Sequence, residues 1–397
     1  MNIGTYEILL IFSAVIIISY VFDQLTKWIK VPSTLLLIGL GILTKNFLPD
    51  LNIHTYLELF GVAGLILIVL DASLKLKVSK ETLPLIKDSF LSAFVILFAT
   101  MMLISYIIFL MVGGPFLKCM INAIPLSIIS SAIAIPSVHA LSQKKRDFII
   151  YESTFSDIMG ILIFNMIVTH MVLSFMTGLS IVAEILLFFF ISLVCCLLFM
   201  LFIQSIHLET RFLLVIALLV FIYTAGKRLH YSPLLLILIF GLVMNNLELI
   251  PWRLKKFLRA GTLSSEIEKF KLILSELTFL VRTFFFILLG YSFNLKDLMN
   301  ADVWMLGMLI VAAIFIIRYL YLRFIVKMEL VPEIFIFPRG LISVILFYAI
   351  PKAMLIPNLS KELLLFVIIS TSILMTVGLV IPHKAEPEEQ PSVVEVK

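Results

Sequence analysis

Glu152, Ser153, Ser156 and Asp157 stand together in the stretch YESTFSD, with apolar residues on either side. A carboxylate withdrawn from water can hold either a proton or a small cation. Hydroxyl and carbonyl oxygens beside it are suitable ligands for a hard alkali ion. On a helix, five residues turn the chain by about 500°, so Glu152 and Asp157 project about 140° apart. Glu152 shares its face with Ser156, and Asp157 shares its face with Ser153, each at i,i+4. The two acids are therefore no catalytic dyad, and each needs a partner of its own.

The surroundings decide what such acids cost. Hydrophobic residues make up 62% of the 397-residue chain and charged residues only 14%, against roughly a quarter charged in soluble domains. The chain reads as an all-α integral membrane protein in contact with the lipid bilayer, and its net charge of +5 is no sign of a nucleic-acid partner. About 20 apolar residues span the hydrocarbon layer as a helix. On that measure thirteen spans are expected, starting near residues 6, 32, 56, 87, 116, 148, 180, 210, 232, 270, 303, 331 and 362. Residues 1–383 then form one transmembrane domain, and 384–397 a short, disordered tail. The stretch 251–271, with basic and apolar residues interleaved, suits a helix along the membrane surface. The first apolar run lacks a basic lead and a cleavage site, so it is expected to be a retained span.

Thirteen spans put the termini on opposite sides. Alternate loops then collect twenty of the 30 Lys and Arg on one side and seven on the other, with Arg282, Arg318 and Arg339 inside spans. The positive-inside rule places the C-terminus in the cytoplasm and the N-terminus outside. A helix entering from the cytoplasm near Phe148 has Glu152 about 6 Å and Asp157 about 14 Å into the hydrocarbon. Asp157 is too deep and too short to reach the interface, which marks it as functional. Arg318, in the eleventh span, lies about 7 Å from the cytoplasmic edge. It either snorkels to the interface or pairs with Glu152 at matched depth. Arg282, deep in the tenth span, pairs with Glu276 or serves the ion path.

Two spans carry helix breakers. The fifth has Pro125 and Pro136 around Ser127, Ser130 and Ser131, and the twelfth has Pro338, Arg339 and Gly340. Unwound backbone at membrane depth is tolerated only where it lines a cavity, and a pair of interrupted helices points to a transporter with inverted repeats. No enzyme is expected. His139 and His170 stand far from any metal-cluster or dyad spacing, and Cys119, Cys195 and Cys196 show neither metal-ligand spacing nor a disulfide framework. No cofactor is expected beyond the transported ions.

Four stretches together resemble the monovalent cation:proton antiporters, the sodium/proton exchangers: VPSTLLLIGLGILTKNFLPD, ILIVLDASLKLK, ESTFSDIMGILIF and FPRGLISVILF. The third matches a Glu-Ser-x-x-Asn-Asp pattern at Glu152, Ser153 and Asp157. The second has an acid often found in the family at Asp71, and the fourth an Arg-Gly pair at Arg339 and Gly340. The resemblance implies a homodimer, a mobile core against a dimerisation scaffold, Asp157 as carrier of the cation or proton, and Glu152 paired with a basic residue of the eleventh span, Arg318. It implies exchange of a monovalent cation, Na+ first, for H+. Alternatives of related fold are a potassium/proton antiporter or efflux protein and a sodium-coupled organic anion symporter. The chain departs from the family at Ser156, where relatives have Asn or Asp, and at Ala134-Ile135-Pro136, where many have Thr-Asp-Pro. Ser130, Ser131, Ser153 and Ser156 are the candidate ligands beside Asp157. With serine at 156, one titrating acid remains, and exchange is expected to be one-for-one and electroneutral.

Overall fold

The computed structural model describes residues 5–29, 31–47, 54–79, 81–138, 141–169, 186–187, 189–196, 198, 211–228, 234–246, 260–293, 300–326, 331–356 and 359–381. These residues form helices α1 (Thr5–Ile29), α2 (Ser33–Phe47), α3 (His54–Ser73), α4 (Leu83–Met111), α5 (Phe116–Ser127), α6 (Ser131–Ser137) and α7 (Gln143–Thr169). They continue with α8 (Arg211–Arg228), α9 (Leu234–Asn245), α10 (Ala260–Ser292), α11 (Ala301–Tyr321), α12 (Leu341–Tyr348) and α13 (Lys361–Val380). Among the described residues, seven stretches, one of them the combined α5–α6 segment Phe116–Ser137, are long and apolar enough to cross a bilayer. The α7 helix is not one of the seven, because its basic start and its acids dilute its hydropathy. Described helical residues stand at or close to each expected span start, the seventh being represented by 186–187, 189–196 and 198. The expected surface helix lies outside the described residues over 251–259, and its remainder is the first part of α10. His139, His170 and the tail 384–397 also lie outside them.

The helices pack as two bundles. One contains α1–α3 and α8–α10, and the other α4–α7 and α11–α13. Among the described side chains of α7 only Gln143 and Lys144 are exposed, whereas helices on the outside of the bundles present apolar side chains outward, as lipid requires. Leu91, Phe94 and Phe98 on α4 and Met305 and Met308 on α11 are exposed in this way. Inside the first bundle α2 and α10 meet backbone to backbone. A Cβ at Gly41 would strike the Ile287 carbonyl, and one at Gly290 would strike the Ile38 carbonyl. Small residues permit this approach, and van der Waals contact rather than hydrophobic expulsion holds such helices in lipid. Ser19 and Thr283 add a 2.6 Å hydrogen bond between α1 and α10.

Both interrupted spans belong to the second bundle. Span five breaks at Ile128–Ser130, where Ile128 (φ −79°, ψ 131°) and Ser130 (φ −81°, ψ 116°) are extended. Span twelve runs as a 3-10 turn over Glu333–Phe335, then as non-helical chain from 336 to 340 before α12 begins. The breaks touch: the Ser130 amide donates to the Pro338 carbonyl at 2.8 Å. At Gly340 a Cβ would come within 2.5 Å of the Ser130 hydroxyl, so the crossing depends on glycine there.

Gly41→Ala should lower the unfolding temperature of the detergent-solubilised protein, by the roughly 1–3 kcal/mol typical of overpacking. Gly39→Ala, two residues away and with nothing within 4 Å of the added Cβ, should leave it unchanged. Equal effects would contradict the backbone contact.

Candidate functional site

Breaking a helix in lipid strands backbone groups that must find partners. Arg339 supplies them for α5. Its side chain is fully buried, and it donates from Nε to the Leu126 carbonyl (2.8 Å), from Nη2 to Ser127 (3.1 Å) and from Nη1 to Phe337 (2.7 Å). A cation thus caps the negative end of α5. The Arg339 amide donates to Thr371 Oγ1 at 3.1 Å, which fixes the second break against α13.

The other side of the crossing is held by α7. Ser156 Oγ accepts from the Ile129 amide (2.9 Å), and Asp157 Oδ2 accepts from the Ser131 amide (3.0 Å) at the start of α6. Asp157 is 3% exposed. Its Oδ1 has no hydrogen-bond partner, and neither has the Ser130 hydroxyl. Ser153 instead donates back to the Ile149 carbonyl at 2.7 Å. The crossing therefore gathers Asp157, Ser130, Ser131 and Ser156, while the hydroxyl proton of Ser153 is taken by its own helix.

Glu152 faces the opposite way, as the 140° rotation requires. Arg318 of α11 donates to both its oxygens, from Nη1 to Oε1 at 3.1 Å and from Nη2 to Oε2 at 2.9 Å. Ser92 of α4 donates to Oε1 at 2.6 Å. Arg318 Nε donates to the Glu333 carbonyl at 2.8 Å. Glu152 and Arg318 are both wholly buried, and a bidentate pair with its other lone pairs occupied is the geometry that offsets such burial. A second buried pair follows, Lys145 Nζ to Glu333 Oε1 at 3.2 Å. Sequence reasoning missed Glu333 and Lys145, because both fall near expected span ends, where a charge reads as interfacial.

The remaining candidates gather around a cavity of about 740 Å³ at the amino-terminal end of α7, lined by Asp23, Asp71, Pro136, Ile150 and Arg282 among others. Asp71 pairs with Lys75 at 2.6 Å. Arg282 lies 4.0 Å from Asp23 and not against Glu276. Pro136 sits inside α6, beyond the break. The residues beside Asp157 at the break are thus Ser130 and Ser131, and the Ala134-Ile135-Pro136 segment lies further along α6. A second cavity, about 770 Å³, lies at the other end of α7 and is lined by Glu58, Ile161, Phe164 and Lys352 among others. Ile150, Asp157 and Ile161 are seven and four residues apart and fall within about 20° of one stripe on α7. Asp157 lines neither cavity. It sits on the stripe between them, about 10 Å along the axis from Ile150 and 6 Å from Ile161.

A family model described as the transmembrane sodium/hydrogen exchanger matches residues 11–384. The fold is similar to that of the sodium proton antiporter MjNhaP1 from Methanocaldococcus jannaschii at pH 8. That likeness has a TM-score of 0.70 at 17% identity, covering 93% of this chain and 96% of that one. An electron-microscopy structure of the same antiporter gives a TM-score of 0.67 at 16% identity over 94% and 95%. At such identity the likeness speaks for the fold alone. No curated protein sequence matches the chain.

Arg318→Met should destabilise the protein by about 3–5 kcal/mol, because it leaves the Glu152 carboxylate buried without its counter-charge. Glu152→Gln combined with Arg318→Met should regain most of that loss in thermal unfolding of the purified protein. A double variant no more stable than Arg318→Met would show that the ion pair is not what the site depends on.

Proposed function

The chain belongs to the sodium/hydrogen exchanger family, and we propose that Asp157 is the group through which it exchanges a monovalent cation for protons. The observation that carries this reading is the state of the Asp157 carboxylate. It is buried at the crossing of two broken helices, with one oxygen held by the Ser131 amide and the other unpartnered. An unpartnered carboxylate oxygen in an apolar interior calls for a proton or a cation. The Ser130 hydroxyl, also without a partner and one residue before the amide that Asp157 accepts from, is the candidate second ligand, with backbone carbonyls of the breaks completing an oxygen shell suited to sodium.

The cycle follows from charge. With a proton or a cation bound, Asp157 is neutral and can be carried past the apolar barrier between the two cavities. The empty carboxylate is charged and cannot pass, so the two cargoes must take turns. Alternating access then consists of opening the stripe on α7 first to one cavity and then to the other. One proton per cation is part of this reading. Ser156 cannot titrate, and Glu152 is tied to Arg318, which leaves Asp157 as the titrating acid of the crossing. Arg339 and the Ser156 hydroxyl hold the broken backbone in place, so the site keeps its shape in both loaded states.

Residence in the cell (inner) membrane, with the C-terminus cytoplasmic and the N-terminus outside, rests on the distribution of basic residues. The homodimer implied by the family resemblance finds an available surface on α1, whose apolar stretch Leu9–Thr26 has eleven of its eighteen residues exposed.

Asp157→Asn should abolish cation-dependent proton flux in proteoliposomes, to below about one part in a hundred of the parent rate, while leaving the protein folded and monodisperse. Flux through the native protein should be indifferent to an imposed voltage. Retained exchange in Asp157→Asn would remove the carrier assignment, and a voltage response would remove the one-for-one stoichiometry.

A further inference from the structure

Pro136 and Arg282 explain each other. In a helix the amide of residue i donates to the carbonyl of residue i−4, and proline has no N–H to give. Within α6, Pro136 therefore leaves the Ala132 carbonyl without its helical donor. Ala132 is the residue immediately after Ser131, whose amide holds Asp157. Arg282 reaches this carbonyl from α10, with Nη1 3.4 Å from the Ala132 oxygen. The helix that carries Arg282 belongs to one bundle, and α6 to the other.

The guanidinium is held otherwise by weak contacts. Its Nη2 lies 4.0 Å from Asp23 of α1, and Asp23 accepts a 3.2 Å hydrogen bond from Ser33 at the start of α2. Its Nε has no hydrogen-bond partner, and the Phe279 ring centre lies 5.8 Å from its central carbon. Only 13% of the side chain is exposed. A guanidinium placed this deep with one donor unused is costly as a packing element alone. Pro136 and Arg282 line the same cavity as Ile150, so the contact stands where that cavity approaches the carboxylate.

We propose that Arg282 is a positioning residue for the ion site, which supplies the hydrogen bond that Pro136 cannot make and so sets where α6 presents the Ser131 amide to Asp157. The same bond ties α6 to the opposite bundle, and any relative movement of the bundles at this end must break it. The proposal rests on Asp157 being the ion-binding carboxylate.

The test is a double-mutant cycle in proteoliposomes, read as the cation concentration giving half-maximal exchange. Arg282→Gln should raise that concentration about tenfold, as expected for loss of one hydrogen bond from a charged donor, with the maximal rate little changed. Pro136→Ala restores an amide to the Ala132 carbonyl. In the Pro136→Ala protein, Arg282→Gln should therefore shift half-saturation by less than about threefold. An equal shift in both backgrounds, or a loss of maximal rate with half-saturation unchanged, would overturn the proposal. If Arg282→Gln alone fails to yield folded protein, Pro136→Ala should restore folding, and failure to do so would overturn it equally. All four proteins keep Asp157, so the comparison is separate from Asp157→Asn, which tests the carrier assignment itself.

Discussion

A helix interrupted inside a bilayer has to find partners for the backbone groups it exposes, and water cannot supply them. That constraint shapes the centre of this molecule. Two spans break at the same level, and most of the loose ends are tied by side chains. Arg339 takes the carbonyls of Leu126 and Ser127, Ser156 takes the Ile129 amide, Thr371 the Arg339 amide, and Asp157 the Ser131 amide. The bond from Ser130 to Pro338 joins one break to the other. Among these ties, Asp157 is the one whose side chain keeps an oxygen without a hydrogen-bond partner.

The buried charges divide along the same line. Glu152 and Arg318 neutralise each other, with Ser92 donating to Glu152 and the Glu333 carbonyl accepting from Arg318. Lys145 and Glu333 extend the arrangement towards the amino-terminal end of α7. These side chains hold α4, α7, α11 and the second break as one body. Asp157, on the other face of α7, stands apart from them and meets only the crossing. One helix therefore carries a paired carboxylate and an incompletely partnered one, kept apart by a turn of the backbone.

Much of this could be read from residue order. The 140° between Glu152 and Asp157 follows from helical geometry, and the matched depth of Glu152 and Arg318 from counting residues into the span. The prolines and glycine of spans five and twelve marked both interrupted helices. Other features depend on lateral neighbours, about which a one-dimensional depth scale is silent. Arg282 was weighed against Glu276 on its own helix, whereas it reaches Asp23 and Ala132, both distant in sequence. Pro136 reads as a breaker in the sequence, yet the backbone opens at Ile128–Ser130, and Pro125 and Pro136 both lie inside the helices that flank the opening. The Lys145–Glu333 pair was hidden because a charge near a span end has a cheap alternative in the interface. The α7 helix itself shows the limit of hydropathy, since the residues that give it a role are the ones that lower its apolar score.

The position of Asp157 on its stripe has an electrical meaning. A transmembrane voltage drops mainly across the apolar material between water-filled regions, and here that material lies along α7 between Ile150 and Ile161. Asp157 divides it unequally, with about 10 Å on the amino-terminal side and 6 Å on the other. A bare cation approaching from the Ile150 side therefore works through the larger share of the field before it meets its counter-charge. The proposed one-for-one cycle would conceal this asymmetry overall, but each half of such a cycle carries it, and the two faces of the protein are thereby unequal even when the ions on either side are the same.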